Sequence, residues 1–190
     1  MDVKEASEAL SEASEKNRFL IILISVMAVL LSLVEMSASS ELGQSSAHNI
    51  AASDLWAFFQ AKSTRETTLK TAADGMETLL AAGLSPDQAQ LLQRKIGQWR
   101  STAERYESDP ATGEGRKEIR QRALAAERAR DRAAALDERF EFSAALLQIA
   151  LVLCSAAVMV GGWVLTFGAI GLGALGTALG LWGWLGIFLQ

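Results

Sequence analysis

The chain has 190 residues, of which 50% are hydrophobic and 21% are charged, and its formal net charge at pH 7 is -4. Its single cysteine, Cys154, excludes an intrachain disulfide, and its single histidine, His48, excludes a histidine cluster as a metal site. Basic residues alternate with acidic ones and form no long basic run, so a nucleic-acid-binding surface is not expected.

Charged residues are strongly segregated along the sequence. They occur in 2–18 and 35–141, whereas 19–34 and 142–190 contain none. Such alternation is typical of segments that face water and segments that face lipid. The sequence therefore predicts an all-α membrane protein with three transmembrane helices and a long, coiled-coil-like helical hairpin domain between spans 1 and 2.

The chain begins with a polar segment and a first apolar run. Residues 1–18 are rich in Ser, Ala and Glu, so we expect a polar tail that is a frayed helix or disordered. Residues 19–40 are predicted to form transmembrane helix 1. The short uncharged part, 19–34, also matches the apolar region of a signal peptide, with small residues at 37–39 for cleavage. We interpret it as an uncleaved span.

Residues 41–141 are predicted to form an extramembrane helical hairpin or bundle. Apolar residues in its first part recur at spacings of three and four, which is typical of a coiled-coil-like seam. Lys62 and Glu66 interrupt this seam at positions that face the core. The apolar face is narrow and rich in alanine, so association with partner helices, including those of identical subunits, is expected.

Local signals divide this region further. Ser85 and Gln88 provide the N-cap and the capping-box residue of a second helix, which is expected to run to about Tyr106. The segment 107–115 contains Asp-Pro and two glycines, which predicts an exposed loop. A third helix follows and is expected to continue into the next span, with Glu118 and Arg122 as an i,i+4 ion pair.

Residues 142–160 and 163–189 are predicted to form transmembrane helices 2 and 3, joined at the glycine pair 161–162. Small residues recur along each of the three spans and would let helix backbones approach closely. Whether they meet within one subunit or between subunits stays open. The predicted packing residues are Ala169, Gly173, Gly176, Gly180 and Gly183 in the last span, and Ala150, Cys154 and Ala157 in the middle span. In the first span they are Ser25, Ala28, Ser32, Glu35 and Ser39.

Glu35 is a candidate polar or ion site, because an acid on the small-residue face of an apolar span suggests a functional role. The alternative is that Glu35 lies at the headgroup boundary. The second candidate is the aromatic cluster Trp56, Phe58 and Phe59 with Lys62. Its aromatic rings point around most of the helix circumference, which indicates either a bundle core or a partner-binding surface.

Two segments resemble a known family. Residues 54–63, DLWAFFQAKS, and residues 149–155, IALVLCS, are similar to those of an uncharacterised bacterial membrane-protein family catalogued as domain of unknown function 4337. The resemblance covers nearly the whole chain. It implies residence in a bacterial inner membrane and implies no activity, cofactor or catalytic residue.

The orientation of the chain is less clearly indicated. Lys16 and Arg18 precede the first span, which favours a cytoplasmic N-terminus and a periplasmic polar domain. The opposite arrangement is favoured by four arginines that approach the second span from the polar side, namely Arg128, Arg130, Arg132 and Arg139. We expect the periplasmic placement, because long loops follow the charge rule poorly.

The sequence contains no set of residues typical of nucleophilic catalysis or metal binding, so we expect no enzyme activity and no cofactor. The leading hypothesis is a membrane scaffold or accessory subunit. It would self-associate in the lipid bilayer through its glycine-striped spans, present its helical domain to a larger membrane complex, and bind no nucleic acid. The alternative is a homo-oligomeric pore or transport component with a polar path near Glu35.

Overall fold

The computed structural model describes residues 3–160 and 162–188, together with the side chains of 18–160 and 162–186. Across these residues the chain is helical and contains no strand, so the all-α prediction is confirmed. The helices are α1 (Val3–Leu80), α2 (Pro86–Glu107), α3 (Arg116–Val160) and α4 (Trp163–Phe188). The predicted polar tail is part of α1 from Val3 onwards.

Three of these helices, α1, α3 and α4, are long and apolar enough to cross a membrane. The third and fourth helices are separated at the predicted glycine pair, since α3 ends at Val160 and α4 begins at Trp163. The expected continuation of the third soluble helix into the second apolar segment is confirmed, because α3 runs without a break from Arg116 to Val160.

The chain forms two compact units. The first, called here the apolar unit, comprises Met1–Ser45 and Arg132–Gln190, and the second, called the polar unit, comprises Ser46–Asp131. The helices α1 and α3 contribute residues to both units, α4 belongs to the apolar unit, and α2 belongs to the polar unit.

In the apolar unit, α1, α3 and α4 enclose two clusters of buried apolar side chains. The unit also carries large apolar side chains on its outer surface. Ile21, Val152 and Phe167 are 57%, 68% and 66% exposed, respectively. A surface of this kind is unfavourable in water and matches a lipid environment. The clusters are centred on Met27, Ala150 and Cys154, and on Val34, Phe140 and Leu147.

In the polar unit, the predicted start of the second helix is confirmed. Ser85 Oγ accepts a hydrogen bond from the Gln88 backbone N–H, and Gln88 Oε1 accepts one from the Ser85 N–H, which together form a capping box. The preceding turn contains Gly83 with φ +83°, a left-handed conformation that glycine adopts without strain. Most buried apolar residues of this unit are alanines, among them Ala52, Ala73 and Ala103, and the larger ones are Ile96 and Ile119.

In the connection from α2 to α3, residues 110–112 and 114 are exposed, and side-chain hydrogen bonds hold the turn together. Glu118, in the first turn of α3, accepts hydrogen bonds from Ser108 Oγ at 2.7 Å and from the Asp109 backbone N–H at 3.2 Å. Its carboxylate therefore holds this turn instead of forming the expected ion pair with Arg122. Gly115 is buried beside the same groups, so the turn packs against the start of α3.

We expect Gly115→Ala to destabilise this turn by about 1–3 kcal/mol, because overpacking at a tight contact has costs of that size. An added Cβ would overlap Glu118 Oε2 and the Asp109 nitrogen, and would lie 2.6 Å from Ser108 Cα. Hydrogen–deuterium exchange of the amides around the turn measures the change. Roughly 5- to 150-fold faster exchange is expected.

The control is Gly97→Ala in α2, where an added Cβ meets nothing within 4 Å. Alanine has the higher helix propensity, so this variant should keep or increase the protection of α2. Equal exchange rates for Gly115→Ala and the unmodified chain would contradict the role given to the turn.

Candidate functional site

The aromatic cluster of α1 lies where the three helices of the polar unit meet. Trp56 donates a hydrogen bond from Nε1 to Glu127 Oε1 on α3, at 2.8 Å. Its ring packs edge-on against Phe59, with the ring centroids 5.5 Å apart and an interplanar angle of 80°. An edge-to-face pair of this geometry adds to the stability supplied by burial. Trp56 therefore connects α1 to α3 through this hydrogen bond, while its ring contact with Phe59 lies within α1.

Phe59 also forms part of a contact with the first residue of α3. The guanidinium carbon of Arg116 lies 5.5 Å from the Phe59 ring centroid, within the range of a cation–π interaction. Arg116 Nη1 donates a hydrogen bond to Ser63 Oγ at 3.1 Å. One arginine thus contacts two consecutive turns of α1.

Lys62 is a buried cation, with 8% of the residue exposed. Its Nζ lies 5.1 Å from the ring centroids of both Phe58 and Tyr106, so it is placed between an α1 ring and an α2 ring. Its carboxylate partner is Glu114 in the connecting turn, with Nζ and Oε2 3.5 Å apart. A buried charge is tolerated when it is compensated, and here the compensation comes from α1, α2 and the turn.

Glu66 is the matching buried anion, one turn further along α1, with 4% of the residue exposed. Its Oε1 accepts a hydrogen bond from Lys70 Nζ at 2.7 Å. Its Oε2 lies 3.1 Å from Arg116 Nη1, yet it accepts no hydrogen bond within the described part of the chain. The contact between Glu66 and Arg116 is therefore a charge pair without a hydrogen bond, because Arg116 Nη1 donates to Ser63 Oγ instead.

These contacts place the four candidate residues of the cluster. Trp56 and Phe59 are half-buried and Lys62 is buried, while Phe58 is 38% exposed. The cluster joins α1, α2 and α3, and its charged groups are already paired with groups of the same chain. In the described side chains, no group of three or more His, Cys, Asp or Glu residues is placed to hold a metal ion.

The carboxylates around the connecting turn are held in their charged form. The Ser108 hydroxyl, by donating a hydrogen bond, lowers the pKa of Glu118 below its ordinary value. A hydrogen bond from Lys117, together with the charge of Lys117, lowers the pKa of Glu107. A hydrogen bond from Thr112 lowers the pKa of Asp109. Each group therefore stabilises the fold more strongly when it is ionised.

In the apolar unit, Glu35 lies on the outer surface of the helices, where its Oε1 accepts a hydrogen bond from Gln148 Nε2 at 3.0 Å. Gln148 lies on α3, inside the uncharged segment. The sequence analysis did not identify Gln148. The signal that could have found it is that a lone amide in an uncharged segment commonly hydrogen-bonds across a helix interface.

The small residues of α3 and α4 lie inside the apolar unit. Ser143 Oγ donates to the Gly176 carbonyl oxygen at 2.7 Å, a contact that the close approach of the two helices permits. A Cβ at Gly180 would lie 2.9 Å from Ser143 Oγ and 3.1 Å from Val34 Cγ2. The other predicted packing residues of these helices, namely Ala150, Cys154, Ala157, Ala169, Gly173 and Gly183, are also buried.

Comparison with known proteins places the chain in a family. The family described as Domain of unknown function (DUF4337) matches residues 16–186. The chain belongs to the DUF4337 family. The resemblance inferred from residues 54–63 and 149–155 is thereby confirmed. No curated protein and no solved structure matches the chain significantly.

The DUF4337 match spans the aromatic cluster, Glu35, Gln148 and the small residues of both apolar helices. The description of the family assigns no activity.

We expect the polar unit of this DUF4337 protein to lose stability in acid through Glu118. The folded pKa of Glu118 is lowered, so its stabilisation is fully present above the ordinary glutamate value of 4.5. The stabilisation is lost as the pH falls from there through the folded pKa. At pH 6 the backbone amides of the turn should exchange faster in the Glu118→Gln variant than in the unmodified chain. The difference between the two exchange rates should shrink towards pH 3. Hydrogen–deuterium exchange, corrected for the intrinsic pH dependence, measures this.

Glu104→Gln, at an exposed glutamate of α2, is the matched control and should leave the acid response of the turn unchanged. A Glu118→Gln variant whose difference from the unmodified chain persists at pH 3 would contradict a role for the ionised carboxylate.

We expect Gly180→Leu to weaken the packing of α4 against α1 and α3, by about 1–3 kcal/mol or more, because its side chain would collide with Ser143 and Val34. The control is Gly171→Leu in the same helix, where an added Cβ meets nothing within 4 Å. Thermal unfolding in mild detergent, followed by circular dichroism, should show a lower midpoint for Gly180→Leu alone. Equal midpoints for the two variants would refute the inward assignment of the Gly180 face.

Proposed function

We propose that this protein is a non-enzymatic integral membrane scaffold or accessory subunit of the bacterial inner membrane. It self-associates and presents its polar unit to a partner complex. The observation that carries this proposal is the outward exposure of large apolar side chains on the three apolar helices, such as Val152 at 68% and Trp163 at 70%. The contrast with the charged polar unit supports a division into an anchor and a presented domain.

The membrane placement is supported by aromatic residues towards the two ends of α4. Trp163 and Trp182 are 70% and 62% exposed, as expected of side chains that lie at the headgroup level. The Arg139 guanidinium carbon lies 5.7 Å from the Trp182 ring centroid, so a charged residue and an aromatic ring share one end of the apolar unit. We place the N-terminus in the cytoplasm and the polar unit in the periplasm, because Lys16 and Arg18 precede the first apolar segment.

The presentation of the polar unit is supported by apolar residues that its own core does not cover. Leu79, Leu84 and Leu91, around the connection between α1 and α2, are 50%, 38% and 68% exposed. The aromatic cluster contributes Phe58 to the surface, whereas Trp56 and Phe59 contact α3. These exposed residues are the contact positions that we assign to the partner.

The alternative is a homo-oligomeric pore or transport component. It is favoured by one observation, namely that Glu35 and Gln148 form a polar pair on the outer surface of otherwise apolar helices. Between subunits, such a pair could line a polar path. The two proposals differ in whether ions cross the membrane.

The scaffold proposal predicts that the protein purified in mild detergent is an oligomer. Its mass should equal a multiple of the chain mass, or exceed such a multiple by the mass of a bound partner. Native mass spectrometry measures this mass. The same sample transferred to a denaturing detergent is the control and should give the single-chain mass. The contradicting result is a monomer without partners in mild detergent, at a protein-to-detergent ratio as high as the protein-to-lipid ratio of a membrane. It would refute both self-association and the presentation of the polar unit to a partner.

Liposome ion flux separates the scaffold from the pore. A scaffold gives no flux for the unmodified chain or for Glu35→Gln. A pore gives a flux that Glu35→Gln changes, since that substitution removes a carboxylate from the path. Flux of this kind would replace the scaffold proposal with the alternative.

A further inference from the structure

The three small-residue faces predicted from the sequence have different surroundings in the apolar unit. Those of α3 and α4 are buried among α1, α3 and α4. The face on α1 is open, because every one of its members is exposed. These members are Ser25, Ala28, Ser32, Glu35 and Ser39. Small residues alone do not define a contact surface, but Glu35 and its neighbour Gln148 add a polar group that the bilayer does not satisfy.

The depth of this pair follows from helix geometry. A Cβ at Gly173 would lie beside Met27 and Ala150, and one at Gly180 beside Val34 and Ser143, so α1 and α3 run antiparallel. Gln148 lies seven residues beyond Glu141, the last charged residue of α3. At 1.5 Å per residue this is about 10 Å into the uncharged segment.

Glu35 reaches this depth because side chains in a helix lean towards its N-terminus. In an antiparallel pair, Glu35 therefore leans into the uncharged segment while Gln148 leans out of it, and the two meet at 3.0 Å. The pair consequently lies within the apolar segment, although Glu35 itself is close to its edge.

The pair has hydrogen-bonding capacity that the chain does not use. Glu35 Oε1 accepts the bond from Gln148 Nε2. Among the described side chains, the second oxygen of Glu35 and the amide oxygen of Gln148 make no other hydrogen bond. The amide group has a second N–H to donate, and the carboxyl group has further acceptor sites. Lipid tails offer no partner for any of these groups, so leaving them exposed has a cost in free energy.

We propose that this surface is the self-association site, and that its occupant is the same surface of a second copy of the chain. The two surfaces would match through complementary hydrogen-bonding groups. A surface with both an unused amide donor and unused carboxyl acceptors is complementary to itself under a twofold axis. Two copies inserted in the same direction bring Glu35 and Gln148 to equal depth, where the Gln148 of one copy can donate to the Glu35 of the other.

The neighbouring residues allow the close approach that such bonds need. Ser32 and Ala28 lie about one and two turns from Glu35 on the same face, and both are small and exposed. The Ser32 hydroxyl donates to the Ala28 carbonyl oxygen at 3.0 Å, so it adds no unsatisfied donor to the surface. This inference rests on the proposed self-association and specifies where it occurs.

Cysteine cross-linking in native membranes tests the surface. In a Cys154→Ser background, Ser32→Cys should form a disulfide-linked dimer under mild oxidation. The control is Leu175→Cys, at a 52% exposed residue of α4 outside this face, which should remain mostly monomeric. Equal cross-linking at the two positions would overturn the assignment of the surface.

The polar contribution is tested with the double variant Glu35→Leu, Gln148→Leu. Both residues are exposed within the chain, so helix content and the unfolding midpoint should be retained. The dissociation constant of the dimer, measured in detergent, should rise about tenfold. The reason is that the variant removes two symmetry-related hydrogen-bonded contacts between helices, each of ordinary strength. An unchanged dissociation constant would overturn the proposal.

The outcomes for the surface and for the scaffold are distinguishable. An oligomeric mass combined with monomeric Ser32→Cys would reject this surface and leave the scaffold proposal intact. A monomeric mass would reject both. A dimer that cross-links through Ser32→Cys and is weakened by the double variant supports both.

Discussion

The polar unit depends on the compensation of two buried charges on α1. Lys62 and Glu66 are 8% and 4% exposed, and charges so placed are tolerated only when other groups compensate them. Their partners come from the rest of the unit: a tyrosine ring of α2, Glu114 of the connecting turn, and Arg116 at the start of α3. The partner charges are more exposed, at 60% of the Glu114 side chain and 32% of the Arg116 side chain, so each pair should contribute less than the about 3–5 kcal/mol of a fully buried pair and more than the about 1 kcal/mol or less of an exposed one. These charges therefore specify how α1, α2 and α3 meet around a core built mainly of alanine, with Ile96 and Ile119 as its larger members.

The apolar unit has a different constraint. Its helices are apolar on both their inner and their outer surfaces, so in a bilayer the hydrophobic effect would not distinguish one packing from another. Close contact and hydrogen bonding make the distinction. Gly176 and Gly180 let α4 approach α3 closely enough for Ser143 to donate to the Gly176 carbonyl oxygen. With the glycine face used inside the chain, the proposed self-association would rely on another surface, and the exposed Glu35–Gln148 pair is the one that offers polar groups for it.

Several features could be predicted from the sequence because their causes are local. The capping box at Ser85 and Gln88 depends on groups three residues apart, and the uncharged segments follow from composition alone. The role of Glu118 could not be predicted in this way. An i,i+4 partner, Arg122, was available, but the carboxylate bonds instead to Ser108 and Asp109, since the turn brings two donors within reach. Gln148 was missed for a similar reason, because its partner is distant in sequence.

The sequence by itself determined the helical class and the three apolar helices through hydrophobic patterning, and the break between α3 and α4 through the placement of glycine. It determined the membership of the family through a distinctive motif. All of these are properties of the linear chain. Only the tertiary structure decided which faces are used. The small-residue faces of α1, α3 and α4 look alike in sequence, yet those of α3 and α4 are buried and that of α1 is exposed. The physical reason is that periodicity defines a face of a helix but not its neighbour, which depends on the simultaneous packing of all three helices.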